Sequence, residues 1–261
     1  MSRLFPGLLL LVAAAVARPA SAQSAGVDAR ADALVSRWTD GMGGEGRWSG
    51  LRDLRYKVTT VWYDTATGRE TRRRPRYVWM KRTGSGWNLR VERMEAEGKY
   101  VQVWDGQHSW ATLNGVALPD TARAVQEIEY VAGDLTYWPG VPWKLRDPGV
   151  NLDYAGSDPH APGEVVPVTF GSDIGLHPRD RFWWYFGDPT SRFPTEVHYV
   201  EQDKTVRDRA RLSGWVTSGP FPFARWRTYY DERGRRTKAI LYSDFQPNRG
   251  AVPARLFRSG R

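Results

Sequence analysis

Along most of this chain, aromatic and β-branched residues occupy every second position of short runs, and turn residues separate the runs. Side chains alternate faces along a strand, so a period of two predicts strands. The runs are Tyr56, Val58 and Trp62; Tyr77 and Trp79; Trp87, Leu89 and Val91; Tyr100 and Trp104; Phe182, Trp184 and Phe186; and Trp226, Thr228 and Tyr230. One parity means one face, so these positions predict a broad aromatic face on a sheet. The chain holds 13 Trp. A closed core would use more Leu, Ile and Val, because each buried indole N–H needs an acceptor. The excess fits a partly open hollow lined by aromatic side chains with few polar anchors. The bland alternative is ordinary sheet packing, which also favours Trp and Tyr on strands.

The order of elements follows from the same patterning. Val27, Ala31, Leu34, Val35, Trp38 and Met42 recur at helical spacing and predict a helix over about 27–42, stopped by Gly41, Gly43 and Gly44. Strands are expected near 51–63, 70–82, 86–95, 99–105 and 108–114, with Asp105-Gly106 and Asn114-Gly115 as hairpin turns. Sequence neighbours then pair, which gives an antiparallel meander. Asp120 is placed to cap a second helix carrying Ala122, Val125, Ile128, Val131 and Leu135. That helix breaks at the rigid aromatic loop Tyr137-Trp138-Pro139-Gly140-Val141-Pro142-Trp143, and it is placed to plug or cover the hollow. Further strands are expected near 149–155, 164–171, 180–187, 194–202, 207–217, 223–231 and 236–244. There is no internal repeat and no linker, so residues 23–261 are expected to form one domain.

Residues 1–22 read as a secretory signal. Arg3 precedes the apolar run Leu8 to Val16, and Ala20-Ser21-Ala22 fits a cleavage site. The run is shorter than the roughly 20 residues a spanning helix needs. The chain has no cysteine, which excludes disulfides, thiolate metal sites and a lipid-anchored cysteine. The expected product is a soluble, unanchored, monomeric protein of the periplasm. Its formal charge is +9, dispersed along the strands except at Arg72-Arg73-Arg74-Pro75-Arg76. Charge and proline of this kind protect an exposed strand edge. The same run is suited to a peripheral membrane contact with anionic headgroups. No nucleic-acid partner is expected.

Signatures of catalysis are missing: there is no G-x-S-x-G, no H-E-x-x-H, no Walker loop and no dinucleotide fingerprint. The four histidines, His108, His160, His177 and His198, show no ligand spacing, so no metal and no cofactor is expected. A hydrolase would have to use paired carboxylates among Glu92, Glu95, Asp105 and Glu129. That is the weakest of three readings. The strongest is a container for something apolar, and the second is an envelope scaffold or assembly factor that uses the sheet as an interaction surface.

Several segments carry a resemblance that spans about Val27 to Phe257. They are Ala33-Leu34-Val35 through Gly41-Met42-Gly43-Gly44 with Trp48 and Leu51-Arg52-Asp53-Leu54; Val101-Gln102-Val103-Trp104-Asp105-Gly106-Gln107-His108-Ser109-Trp110; Val141-Pro142-Trp143-Lys144-Leu145-Arg146-Asp147-Pro148-Gly149; and the terminal Val252-Pro253-Ala254-Arg255-Leu256-Phe257. In these the chain resembles the periplasmic lipoprotein-carrier superfamily, the LolA/LolB-like fold, with the outer-membrane lipoprotein-sorting-like proteins grouped there. The insert from Asp158 to Gly163 and the Trp183-Trp184 pair fall outside that pattern. The resemblance implies a mainly β, α+β architecture: a strongly curved antiparallel sheet, an incomplete barrel, with helices over its concave face. It also implies a non-enzymatic carrier that holds a lipid, an acyl chain or a lipoprotein anchor and works with a lipoprotein or another envelope protein. Strand parity and the central loop, rather than the resemblance, nominate the lining: Trp62, Trp79, Trp104, Trp110, Trp138, Trp143, Phe182, Trp184 and Trp226.

Overall fold

The computed structural model describes residues 26–257 except 85, 120–132, 159–160, 172–180, 189, 202–204, 219–220 and 251. The expected leader, the first part of the second helix, and Glu129, His160 and His177 lie outside the described residues.

The first helix, α1, runs Ala29–Gly41. Asp28 caps it, its carboxylate accepting from Arg30 N at 2.8 Å and Ala31 N at 3.1 Å. Its apolar stripe, Ala31, Leu34, Val35 and Trp38, continues into Met42 and is buried throughout. A short helix, α2, follows at Glu45–Ser49 and was not foreseen from the sequence.

Six strands then form one meander: β1 Asp53–Tyr63, β2 Glu70–Thr83, β3 Gly86–Glu95, β4 Gly98–Trp104, β5 Ser109–Leu113 and β6 Val116–Ala117. Residues 133–140 are helical, α3, and lead through the cis Val141–Pro142 peptide into a 3-10 turn at Trp143–Arg146. The second half holds β7 Val150–Leu152, β8 Gly156–Asp158, β9 Ala161–Phe170, β10 Arg181–Phe186, β11 Glu196–Val200, β12 Val206–Ser218, β13 Phe221–Tyr230 and β14 Arg236–Pro247. A last 3-10 turn lies at Ala254–Phe257.

All fourteen strands belong to one antiparallel sheet, ordered β6-β5-β4-β3-β2-β1-β14-β13-β12-β11-β10-β9-β7, with β8 beside β9. The sheet is curved but not closed: β6 and β7 end the order and do not pair with each other. One long-range pairing, β1 with β14, joins the two meanders. Over Arg72–Arg76, β2 pairs with β1 alone, because its ladder with β3 begins at Tyr77. The basic, proline-containing run therefore lies along a locally free edge, as its composition predicts.

The concave face carries the main core, and α1 and α3 cover it. Leu54, Tyr56 and Val58 of β1, Val78 and Met80 of β2, and Phe182, Trp184 and Phe186 of β10 meet the α1 stripe there. The Tyr56 hydroxyl donates to the Leu135 carbonyl at 2.6 Å, which ties β1 to α3. Arg146 holds α1 from below, pairing with Asp32 and donating to Ser36 Oγ at 2.7 Å. The convex face has a smaller cluster of Val101 and Val103 with Trp79 and Trp110, covered by Val252, Leu256 and Phe257 of the terminal segment. Arg90 Nη1 donates to the Leu256 carbonyl at 3.1 Å and fixes that cover.

Candidate functional site

A small cavity lies where α1, α3 and the second meander meet. It encloses about 30 Å³, room for roughly two waters. Trp38 of α1 and Met42 just after it, Trp138 of α3 and Trp184 of β10 form one wall. Leu212 and Trp215 of β12, Phe223 and Arg227 of β13, and Tyr242 and Phe245 of β14 form the other. The rings are close-packed. Trp38 and Trp184 have centroids 5.0 Å apart, Trp138 and Trp184 5.7 Å, and Phe223 and Phe245 stack at 4.0 Å. A more spacious dip of about 440 Å³ near Arg55, Tyr77 and Arg249 is an open surface cleft with polar walls.

Two breaks in strand alternation build this cavity. Gly214 adopts φ +66°, and Leu212 and Trp215, three apart, both line the cavity. Asp244 adopts φ +57°, and the β1–β14 register shifts by one beside it, so Tyr242 and Phe245 also share the cavity. Positive φ at single positions is how a strand places extra residues on one face.

Arg227 is the one charged side chain in the lining. Its residue is only 2% exposed. The guanidinium carbon lies 3.5 Å from the Trp138 ring centroid, a cation–π contact in a dry setting. Its Nη2 is 3.8 Å from Asp134 Oδ1, and that same oxygen accepts the Trp138 indole N–H at 2.8 Å. Tyr199 and Tyr229, joined through their hydroxyls at 3.0 Å, complete the surround. Burial acts to lower the guanidinium pKa, while Tyr199, Tyr229, Tyr242 and Asp134 act to raise it; the balance is upward, so the group stays charged. Burial pushes the Tyr199 and Tyr242 phenols up, which keeps both as neutral hydroxyls.

Five of the nine nominated aromatic residues belong to the main core on the concave side. Trp138 and Trp184 line the cavity. Phe182 packs behind them, 6.3 Å from Trp138 and 5.0 Å from Tyr199. Trp104 packs against the same core from β4. Trp143 stacks on Trp48 at 5.7 Å and donates to the Gly44 carbonyl at 2.9 Å, so it braces α2 and is not part of the cavity lining. Trp62 lies near the end of β1, with the Arg72 guanidinium 5.1 Å from its ring centroid.

Three fall on the other face, which corrects the parity argument. Trp79 and Trp110 belong to the convex cluster under the terminal segment. Trp226 alternates with the inward Arg227 and pairs with Ser213 and Leu241. Aromatic residues suit either face of a sheet, so their parity on one strand does not fix their side relative to another. Sequence reasoning missed Trp38, Trp215, Phe223, Phe245 and Arg227. Trp38 was recognised only as helix stripe, and the two strand breaks hid Trp215 and Phe245.

Of the carboxylates considered for hydrolysis, the three among the described residues are spoken for. Glu92 bonds Arg90 and Lys99, and Glu95 bonds Arg93 and Arg74. Asp105 accepts the Gln107 and His108 amides at 2.9 and 2.7 Å. Burial pushes each of the three up, yet these partners outweigh it and leave each below the usual range. None is a protonated general acid near neutral pH. Among the described residues no cluster of three His, Asp or Glu side chains is arranged to hold a metal. Among them, too, no helix is long and apolar enough to cross a membrane.

No protein-family model and no curated protein matches the chain by sequence. Solved structures do match. A LolA superfamily protein from Nitrosomonas europaea superposes with TM-score 0.53 at 12% identity, covering 88% of this chain and 97% of that one. A putative outer membrane lipoprotein-sorting protein domain from Vibrio parahaemolyticus gives 0.52 at 8% identity, covering 87% and 97%. A DUF1329 family protein from Desulfovibrio piger gives 0.52 at 10%, with the same coverage. Such identities speak to fold alone. This chain has the fold those three proteins share.

Proposed function

We propose that this is a non-enzymatic binding or carrier protein of the bacterial envelope, which takes a lipid, an acyl chain or a lipoprotein anchor between its sheet and α3. The observation that carries the reading is the aromatic cavity between Trp38, Trp138 and Trp184 on one side and Trp215, Phe223 and Phe245 on the other. The fold likeness supports it, since two of the matching structures are described as a LolA superfamily protein and a lipoprotein-sorting domain. In the conformation described the cavity is too small for an acyl chain. Loading therefore requires α3 to swing out and withdraw Trp138, after which each buried CH₂ of a guest contributes about 0.8 kcal/mol. An export leader over 1–22, a periplasmic location, a single domain from 23 to 261 and a monomeric state belong to the same proposal.

The test is an organic extract of the protein purified from its native envelope, read by mass spectrometry, with indole fluorescence titrated against fatty acid and phospholipid. A saturable response at low micromolar concentration, about −8 kcal/mol, is expected. No extracted lipid and no response would leave the scaffold reading in its place.

A further inference from the structure

The cavity is apolar in its rings and one-sided in its polar atoms. Three residues that line it carry buried nitrogens with no hydrogen-bond partner: Trp38 Nε1, Trp184 Nε1, and Arg227 Nε and Nη1. All four are donors. An indole nitrogen cannot accept, and a guanidinium has five N–H groups and no acceptor. A buried donor without a partner is costly, and more so when charged. Four together, one pair of them cationic, make a site that lacks electron pairs and negative charge.

α3 supplies a partial answer. It presents an acid and a large apolar group four residues apart, which places both on one helix face. The acid, Asp134, faces the Arg227 guanidinium, and the apolar group, Trp138, lies on the cation and against Trp184. Asp134 leaves two of the guanidinium nitrogens unmet, because its closest approach is 3.8 Å to Nη2. A free oxyacid, not tethered to a helix, can approach a guanidinium at 2.7–2.9 Å through two parallel bonds.

From this we propose that the guest is an amphiphile with one anionic oxyacid head, carboxylate or phosphate, on a hydrocarbon tail, and that Arg227 anchors the head. α3 is then a built-in stand-in for that guest: Asp134 takes the place of the head and Trp138 the place of the first part of the tail. Entry of the amphiphile displaces both at once. The same exchange explains how so small a cavity can be widened by its own ligand, since the incoming head supplies what the departing Asp134 withdraws. The inference rests on the lipid-binding reading and adds the head-group charge to it.

The test compares oleate, oleyl phosphate and oleyl alcohol, titrated into the full chain at about pH 8 so that both acids are ionised, with indole fluorescence and calorimetry as readouts. Both acids are expected to bind at least about tenfold more tightly than the alcohol. The advantage should vanish in Arg227→Met and grow in Asp134→Asn, which removes the competing charge. A carboxylate guest predicts oleate over oleyl phosphate, and a phosphate guest the reverse. Equal binding of all three by the unaltered protein would overturn the anionic head and leave lipid binding standing. An acid advantage that persists in a folded Arg227→Met would overturn the role of Arg227. No binding of any of the three would overturn both this inference and the reading beneath it. The comparison of acid with alcohol needs no variant, so a misfolded Arg227→Met does not rescue the idea.

Discussion

Asp134 of α3 and Arg227 of β13 meet at 3.8 Å inside the protein, and the Trp138 ring lies on that guanidinium while donating its N–H to that carboxylate. The contact joins the helix to the sheet at the point where the cavity begins. Removing one charge of such a pair strands the other. Arg227 is 2% exposed and Asp134 32%, so the carboxylate stranded by loss of the arginine is still reached by water, whereas the guanidinium stranded by loss of the acid is not. Asp134→Ala is therefore expected to destabilise the protein by about 2–3 kcal/mol, whereas Arg227→Met should cost under about 1 kcal/mol. Urea unfolding of the two variants checks the order. If Arg227→Met is the worse of the two, the arginine is kept for the fold and not for a guest.

Trp184 is buried to 1% exposure against Trp38 and Trp138. Trp184→Ala should cost about 3–5 kcal/mol and enlarge the cavity. Added indole or a short alkyl alcohol should recover part of the lost melting temperature. A variant that melts like the original would mean that the site collapses around the deletion.

The two faces of the sheet should respond differently to lipid. Trp138→Phe removes a cavity ring, while Trp79→Phe alters the convex cluster. Lipid-induced fluorescence change should shrink in the first and persist in the second. The opposite pattern would move the binding surface to the convex face and favour the scaffold reading.

Gly214 has φ +66°, and a Cβ there would meet Trp226 Cδ1 at 3.2 Å and Arg225 Cβ at 3.3 Å. Gly214→Ala should cost about 1–2 kcal/mol from the backbone alone. Because the same position turns Trp215 inward, the near-ultraviolet circular dichroism of the Trp cluster should change as well. Thermal melts together with that spectrum test both parts.

Glu196 gives the protein an acid-sensitive joint. The His198 ring nitrogen at 3.1 Å holds its carboxyl below the usual range, burial opposes this, and Arg211 at 2.9 Å adds to the lowering. A folded value below the unfolded one gives stability that is present above the unfolded value, about 4.3, and is lost as pH falls through the folded value. Glu196→Gln should therefore flatten the fall in urea midpoint between about pH 5 and about pH 3. Identical slopes for the variant and the original would remove Glu196 from the account.

Much of this architecture is written locally. The spacing of Leu34, Val35 and Trp38 and the Asp105-Gly106 turn each depend on neighbours within a few residues, and each is where the pattern puts it. The strand runs at 53–63 and 181–186 likewise match their period of two, including the inward Phe182, Trp184 and Phe186. The site is written across the sheet. Arg227 becomes an anchor only because β13 sits beside β14 and beneath α3, a juxtaposition made by contacts some ninety residues apart in sequence. Trp79, Trp110 and Trp226 carry the same alternation as the inward aromatics, and register, which no single strand encodes, puts them outside.

The pairing of β1 with β14 has a consequence for how the chain is made. Val58 meets Tyr242, and Thr60 meets Ile240, across nearly the whole described length. Until β14 emerges, β1 offers a row of free amides and carbonyls to any strand that passes, and its neighbour β2 shields only the other side. Late, distant closure of this kind slows folding and lengthens the exposure of sticky edges. A chain stopped short of residue 236 would carry that open edge permanently. The two meanders, expressed as separate fragments, should instead find each other through it.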